Sequence, residues 1–92
     1  MSESNNQQTE MALKKILTLM LNKDYPEIYD IAVTSYCYDD ICHYSIYLLV
    51  KYNDMVNLDS NAVKDKVREF AKYVLRGNDK IEKVTYADRD NN

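Results

Sequence analysis

Glycine and proline are almost missing from this chain, which has one of each among its 92 residues. A P-loop, a dinucleotide fingerprint and a GxxG nucleic-acid clamp each need more than one glycine, because their backbone approaches phosphate closely or adopts positive φ. The sequence therefore excludes all three motifs. The same scarcity argues against a disordered or loop-rich chain, since such chains are enriched in these residue types.

Long apolar runs are missing too, and no stretch approaches the length of a membrane-spanning helix. Residues 1–8 are polar and lack the charged and apolar regions of a signal or transit peptide. We therefore expect no membrane partner and a reducing, cytoplasmic location. In such a compartment the two cysteines are expected to be free thiols rather than a disulfide.

Charge is unevenly distributed along the chain, although the net charge is only −3. Residues 60–86 contain seven Lys or Arg and four Asp or Glu, so their formal charge is +3. The other residues contain five Lys or Arg and eleven Asp or Glu, so their formal charge is −6. An acidic chain is not a general polyanion binder, but one of its faces can still be basic.

Tyrosine dominates the aromatic residues, with nine copies against one phenylalanine and no tryptophan. Such amphipathic side chains suit half-buried faces and interfaces, where one edge is dry and the hydroxyl stays wet. A chain of 92 residues makes one domain with a modest core and little room for a deep substrate cleft.

Apolar residues recur at helical spacing after the polar start. Thr9 is the predicted N-cap of a first helix that ends near Asn22. Its apolar arc spans roughly 200°, about twice the width that one sheet contact needs, and includes Ala12, Leu13, Ile16, Leu17, Leu19, Met20 and Leu21. We expect this helix to contact the sheet together with either the second helix or, through Leu19, another subunit.

A hairpin of two strands is predicted over residues 27–37 and 42–52. Pairing residues whose numbers sum to 79 leaves Asp39-Asp40 as a two-residue turn, although a longer loop over 38–41 keeps the same register. One face is then almost wholly apolar, with Tyr29, Ile31, Val33, Ser35 and Cys37 opposite Val50, Leu48, Ile46, Tyr44 and Cys42. The other face carries Asp30, Ala32, Thr34 and Tyr36 opposite Leu49, Tyr47, Ser45 and His43.

A second helix and a third strand complete the predicted fold. Asp59 is the expected N-cap of a helix that runs to about Arg76, Gly77 is the residue expected to need positive φ, and residues 80–86 form a strand. The order α-β-β-α-β predicts a two-layer α+β domain, with two helices on one face of a three-stranded, mainly antiparallel sheet. We expect the third strand beside the first and antiparallel to it. Residues 9–87 form this single domain, and 1–8 and 88–92 are expected to be flexible tails.

Reactive residue types crowd the hairpin tip, where Cys37, Cys42 and His43 form a C-x4-C-H pattern around two aspartates. Strand alternation points both cysteines to the apolar face and His43 to the other, so the three do not converge on one metal ion. The cysteines are directly opposed and close enough for a disulfide, although buried thiols are the expectation in a reducing compartment. We expect no metal, no cofactor and no catalytic residue, with His43 stacked on Tyr36 across the hairpin.

Two surfaces are candidates for binding. The second helix carries four cations at intervals of four residues, here called the basic row: Lys64, Arg68, Lys72 and Arg76. Such a row can follow a phosphate backbone, but neighbouring acids also favour a solvated face with local ion pairs. The sheet face away from the helices is rich in tyrosine, and its aromatic residues suit a protein contact better than nucleic-acid bases because few cations accompany them.

The segment Leu21-Asn22-Lys23-Asp24-Tyr25-Pro26-Glu27-Ile28, which joins a Leu-rich helix to an Ile/Val strand, resembles small orphan proteins of large DNA viruses and phages. The resemblance covers about a fifth of the chain and includes no catalytic motif. It implies a viral origin, a role in a virion or its assembly, and a location in the host cytoplasm or the virion. No functional residue is carried over from it.

The sequence thus predicts a non-enzymatic structural or interaction protein that self-associates or docks into a larger assembly. Its expected protein interface is Tyr36, His43, Tyr47 and Leu49 on the open sheet face, with Leu19 as a second contact. The alternative is a small RNA- or DNA-binding module that uses the basic row. A thiol or metal protein is the third hypothesis.

Overall fold

A computed structural model describes the backbone of residues 2–89 and the side chains of residues 6–89. The elements in chain order are α1 (Ser2–Leu21), β1 (Ile28–Tyr38), β2 (Ile41–Val50), a 3₁₀ helix (Tyr52–Asn57), α2 (Ser60–Ala71) and β3 (Lys80–Ala87). The predicted α+β class and the α-β-β-α-β order of the main elements are confirmed. Residues 1 and 90–92 of the predicted tails lie outside the described residues.

The hairpin register follows the predicted sum of 79 from Asp30↔Leu49 to Tyr38↔Ile41. The turn is the two-residue Asp39-Asp40, whose φ angles are 52° and 62°. Positive φ at both central residues is the signature of a type I′ turn, whose twist matches that of the flanking strands. Among residues 2–89, Gly77, with φ of 57°, is therefore one of three positions with positive φ rather than the only one that needs it.

A bulge at Tyr29 alters the start of the hairpin, because Ile28 rather than Tyr29 pairs with Val50. One residue is thereby left out of the pairing, and the side chains before it change face. Ile28 is buried in the core, and Tyr29 is 41% exposed. The prediction that Tyr29 faces the core is therefore wrong, because it assumed uninterrupted alternation.

The third strand lies beside β2 and runs parallel to it, giving the order β1-β2-β3 and a mixed sheet. The prediction that it lies antiparallel beside the first strand is wrong. After β2, α2 carries the chain back toward the hairpin tip, so β3 starts near the end of the sheet where β2 starts. α1 packs against β1 and α2 packs against β3. The two helices therefore lie side by side on one face of the sheet, each toward a different edge strand.

Both helices pack on the same face of the sheet, as predicted for two layers. The main core cluster consists of Leu17, Leu21, Ile28, Ile31, Ile46, Leu48, Val50, Val63, Val67 and Val84. A smaller cluster of Leu13, Tyr44 and Ala71 lies toward the hairpin tip. In these clusters, apolar residues that alternate along the strands pack against apolar residues that recur about every 3.6 positions along the helices. This packing holds the helices on the sheet.

Each helix has one boundary that differs from the prediction. α1 begins at Ser2, before the predicted N-cap Thr9, so residues 2–8 are helical. The amide of Asn6 donates a hydrogen bond to the Ser35 hydroxyl, which in turn donates one to the Glu10 carboxylate. These bonds tie the start of α1 to β1 and explain why a polar segment belongs to the helix.

α2 begins where predicted, because the Asp59 side chain accepts a hydrogen bond from the Ala62 amide at 3.2 Å. It ends at Ala71, five residues before the predicted end at Arg76. Turns follow, in which the amides of Val74 and Leu75 both donate to the Ala71 carbonyl. The early end matters below because the basic row was predicted on a longer helix.

Candidate interaction surface on the open sheet face

The sheet face opposite the helices is here called the open face. By alternation and register, its residues are Asp30, Ala32, Thr34, Tyr36 and Tyr38 on β1, His43, Ser45, Tyr47 and Leu49 on β2, and Lys80, Lys83, Thr85 and Ala87 on β3. None of these residues belongs to or packs against the two core clusters, which contain every helical core residue of the described chain. The open face therefore carries no helix of the part of the chain that is described.

A stacked aromatic pair lies near the hairpin end of the open face. The rings of Tyr36 and His43 are 4.9 Å apart at an interplanar angle of 14°, which confirms the predicted stacking. The Tyr36 hydroxyl donates a 2.5 Å hydrogen bond to the Glu82 carboxylate, so a single side chain on β1 reaches across β2 to β3. This bond raises the pKa of Tyr36 above its ordinary value. Tyr36 remains 50% exposed.

Lysine side chains border this pair and were missed by the sequence reasoning. The register places Lys80 beside His43, and the Lys83 ammonium lies 5.4 Å from the Tyr47 ring centroid. These contacts depend on β3 pairing with β2, whereas the predicted order placed β3 beside β1. Nothing local in the sequence specifies that order, because strand pairing across a helical crossover is a long-range property.

Leu49 does not belong to an accessible interface, contrary to prediction, because it is only 6% exposed. It lies between Asp30 and Ala87 on the neighbouring strands. Arg89 follows β3 and donates a 2.7 Å hydrogen bond from Nη2 to Asp30 on β1, and these strands are separated by β2. The arginine thus bridges the two edge strands at the end of the sheet that contains Leu49. Alternation along the strand predicted the sheet face on which Leu49 lies, but it did not predict the bridge between Arg89 and Asp30.

Asp88 and Arg89 make further bonds, and together these residues are called the carboxy-terminal clamp. Asp88 accepts hydrogen bonds from the Tyr29 hydroxyl and the Tyr52 amide, and the Arg89 amide donates to the Tyr29 hydroxyl. Residues 88–89 were predicted to belong to a flexible tail, yet the clamp attaches them to β1 and to the 3₁₀ helix. The bulge that displaces Tyr29 makes the residue available for this contact.

Asp30 has a lowered pKa because it accepts hydrogen bonds from Arg89 and from the Ile31 amide, and Lys14 is nearby at 3.8 Å. A native pKa below the unfolded value stabilises the fold above about pH 4, and this stabilisation is lost as pH falls through the native pKa. We therefore expect Asp30→Asn to flatten the acid limb of the stability profile, while its amide oxygen can still accept from Ile31.

Urea unfolding at intervals from about pH 7 to about pH 3 measures this effect. Asp65→Asn is the matched control, because Asp65 is exposed on α2 and forms no ion pair among the described residues. If Asp30→Asn and Asp65→Asn lose stability with acid as steeply as the unmodified protein, the clamp does not stabilise the Asp30 carboxylate.

The basic row is not a continuous helical surface. Lys64 and Arg68 lie on α2, but Lys72 is its C-cap and Arg76 lies beyond its end. The Lys64 ammonium lies 6.0 Å from the Tyr86 ring centroid, whereas Arg68, Lys72 and Arg76 are exposed. Because α2 ends at Ala71 with Lys72 as its αR C-cap, the prediction that Arg76 lies on the helix is wrong. Nucleic-acid binding by the four cations stays a prediction.

At the hairpin tip, Cys37 and Cys42 form a disulfide, with Cα atoms 4.0 Å apart. The expected buried thiols are therefore not what the structure contains. Cys37 is exposed, and Cys42 is half-buried against the smaller core cluster. Next to a two-residue turn these residues form a non-hydrogen-bonded pair, the closest pair geometry in an antiparallel ladder. Among the described residues, no group of three or more His, Cys, Asp or Glu is placed to hold a metal ion.

A second exposed surface lies on α1, in the other layer of the fold. Leu19, the predicted second contact, is 62% exposed, and Met11 and Met20 are also exposed. Leu13, Leu17 and Leu21 are buried, so the sheet and α2 cover only part of the broad apolar arc.

A depression with a volume of about 800 Å³ lies between the first half of α1 and residues 73–79. Its lining includes Gln8, Thr9, Arg76, Asn78 and Asp79, with no histidine or cysteine. It is therefore separate from the stacked pair of the open face and from the disulfide.

No helix among residues 2–89 is long and apolar enough to cross a membrane. No protein-family model, curated protein or solved structure matches the chain. Any function therefore has to be argued from the surfaces described above.

Proposed function

We propose that this chain is a non-enzymatic interaction domain whose open face binds another protein surface, either a second copy of itself or another subunit of a larger assembly. The observation that supports this proposal most is the uncovered sheet face. Both described helices pack on the opposite face, while Tyr36 and Tyr38 keep 50% and 71% of their surface exposed. Protein interfaces are enriched in tyrosine, which buries a ring while its hydroxyl keeps a polar partner.

The arrangement of the open face resembles the centre and rim of a protein interface. Tyr36 and His43 form a rigid stacked pair, and the bond from Tyr36 to Glu82 limits the motion of its ring. Lys80 and Lys83 supply charged groups along one side. Rigid aromatic anchors lose little conformational entropy on binding, and a polar rim adds specificity. Of the predicted interface residues, Tyr36, His43 and Tyr47 remain in this proposal, and the buried Leu49 does not.

Leu19 provides a second, separate contact in the proposed assembly. It lies on α1, in the layer opposite the open face, so one flat partner surface does not reach both. Two unlike surfaces on opposite layers suit a subunit that contacts more than one neighbour. This arrangement supports a role in an assembly, and the viral origin implied by the sequence resemblance would make that assembly a virion or its precursor.

A non-enzymatic role is part of the proposal, because the chemical groups are not combined into a reactive site. The ring partner of the only histidine is Tyr36, and both cysteines are joined in the disulfide. General acid–base catalysis needs a positioned acid or base that faces a substrate pocket. The depression beside residues 73–79 has neither His43 nor a cysteine in its lining. A cytoplasmic location, in the host or within the virion, also remains our proposal.

Sedimentation equilibrium of matched tyrosine variants tests the interface. We expect the unmodified protein to sediment above its monomer mass of 10.8 kDa. Tyr36→Ala is expected to weaken the association by about 30-fold, the effect of losing a hot spot of about 2 kcal/mol. Tyr73→Ala is the control, because Tyr73 is 76% exposed but lies after α2 and outside the open face. Circular dichroism verifies that both variants fold.

Two outcomes contradict the proposal. One is an unmodified protein that remains monomeric at high concentration and retains no partner in a pull-down from its source. The other is an association that Tyr36→Ala and Tyr73→Ala weaken equally, because the open face would then have no special part in it.

Nucleic-acid binding is the second candidate function. The residues of the open face support it better than the basic row does. Lys80 and Lys83 lie beside His43 and Tyr47, and aromatic side chains with flanking cations can stack bases and contact phosphates. Fluorescence anisotropy with single-stranded oligonucleotides at low salt tests this candidate. Binding that Lys83→Glu abolishes and Arg68→Glu leaves intact supports the open face, the reverse supports α2, and no binding at low salt eliminates both.

A further inference from the structure

The disulfide lies at the most accessible point of the hairpin. Cys37 is exposed, and so are its neighbours at the tip, Tyr38, Asp39 and Asp40. Cys42 is half-buried and packs against the cluster of Leu13, Tyr44 and Ala71. The two cysteines of the same bond therefore differ in exposure, and we expect an external reagent to meet Cys37 first.

The fold around the disulfide does not depend on it for its register. The bond closes a segment of only four residues, 38–41, which the two-residue turn and the Tyr38↔Ile41 pair already hold. On its other side, the Tyr36↔His43 pair continues the ladder and is reinforced by ring stacking. Reduction would thus leave the two cysteines opposed and close together, which allows the bond to form again.

We propose that Cys37–Cys42 is a reversible thiol–disulfide exchange site for low-molecular-weight thiols, with Cys37 as the sulfur that is attacked. The site is independent of the docking function proposed above. It requires only an accessible disulfide in a hairpin that stays folded. Exchange rates depend on access to the attacked sulfur, and access is where Cys37 and Cys42 differ.

The exchange balances in two steps. The thiolate of a small thiol attacks Sγ of Cys37, a new sulfur–sulfur bond forms, the Cys37–Cys42 bond breaks, and its electron pair leaves on Cys42, which takes a proton from water. A second small thiolate then attacks the small-molecule sulfur of the mixed disulfide and releases Cys37 as a thiolate, which is protonated in turn. The protein disulfide is reduced to two thiols, and two small thiols are oxidised to one disulfide.

The first test follows reduction of the oxidised, full-length protein by glutathione at several urea concentrations below the unfolding transition. Samples are quenched with acid, alkylated and weighed by intact-mass spectrometry. We expect a rate proportional to glutathione that varies by no more than about twofold across these urea concentrations, because the folded hairpin itself reacts. A rate that rises with urea in parallel with the unfolded fraction would overturn the proposal.

The second test compares the reactivity of the two cysteine sulfurs with two single variants. Cys42→Ser leaves the Cys37 thiol, and Cys37→Ser leaves the Cys42 thiol. With oxidised glutathione, Cys37 is expected to form its mixed disulfide about tenfold faster than Cys42, because it is the more accessible sulfur. Equal rates, or a faster reaction at Cys42, contradict the assignment of Cys37. If either variant fails to fold, the urea series still tests exchange in the folded hairpin, and peptide mapping of the glutathione-bearing cysteine in its quenched samples identifies the attacked sulfur; a mixed disulfide found mainly on Cys42 contradicts the assignment.

Discussion

Replacing Leu17 with alanine is expected to lower the free energy of unfolding by about 2–5 kcal/mol, the usual cost of truncating a buried leucine. Leu17 is 0% exposed and lies in the main core cluster, where α1 meets the sheet and α2. The truncation removes apolar contacts and leaves a cavity that the strands cannot close fully. Urea unfolding followed by circular dichroism measures the change.

Leu19→Ala is the matched control, because it makes the same substitution two residues further along the same helix. Leu19 is 62% exposed, so we expect its truncation to change stability by less than about 0.5 kcal/mol. If both variants lose the same stability, α1 does not pack with the orientation described. A stable Leu19→Ala protein that associates more weakly would also support the proposed second contact.

Replacing both cysteines with serine is expected to lower the free energy of unfolding by about 2 kcal/mol at 25 °C, the loop-closure entropy for so short a segment. The variant should keep its circular dichroism spectrum and unfold cooperatively, because the hairpin register depends on the alternating apolar face and the Asp39-Asp40 turn. Reduced, unmodified protein is the control and should lose a similar amount of stability.

A double variant that does not fold would show that the disulfide holds the hairpin together. That result would contradict both the account of the register and the claim that the hairpin survives reduction. An unchanged free energy of unfolding would instead mean that Cys37 and Cys42 do not pair in the folded protein.

Local patterns predicted the hairpin and the core well. Alternation of apolar residues specified the pairing from Asp30 to Tyr38, because a slip of one residue would have moved Ile31 and Ile46 out of the core. The N-cap at Asp59 was equally local, since its side chain bonds an amide three residues away. Stacking of Tyr36 on His43 followed directly from the register.

Long-range contacts account for what the sequence reasoning missed. The place of β3 depends on how α1 and α2 share one face of the sheet, which no local pattern records. Leu49 is buried at the end of the sheet where Arg89 reaches Asp30, a contact between residues 59 positions apart. In the first half of α1, Asn6 and Glu10 bond Ser35 of β1, a contact no local pattern predicts. The disulfide was missed for another reason, because a reducing compartment favours thiols even where two cysteines are opposed.

These corrections change the candidate interface in a specific way. Because Leu49 is buried, the accessible part of the open face is less apolar than predicted. Lys80 and Lys83 lie on this face and make it more basic than predicted. The aromatic centre at Tyr36, His43 and Tyr47 is unaffected by either change. The proposed interface is therefore more polar than the sequence alone predicted, which is more typical of a non-obligate contact than of a large obligate interface.

An NMR dilution series on the full chain tests the central claim most directly, because it locates any self-association on the molecule. The account predicts concentration-dependent shifts at Tyr36, His43 and Tyr47, with Tyr73 unchanged. Shifts confined to α1 or to the region around Tyr73, or spectra that stay constant over the whole concentration range, would contradict a self-associating open face.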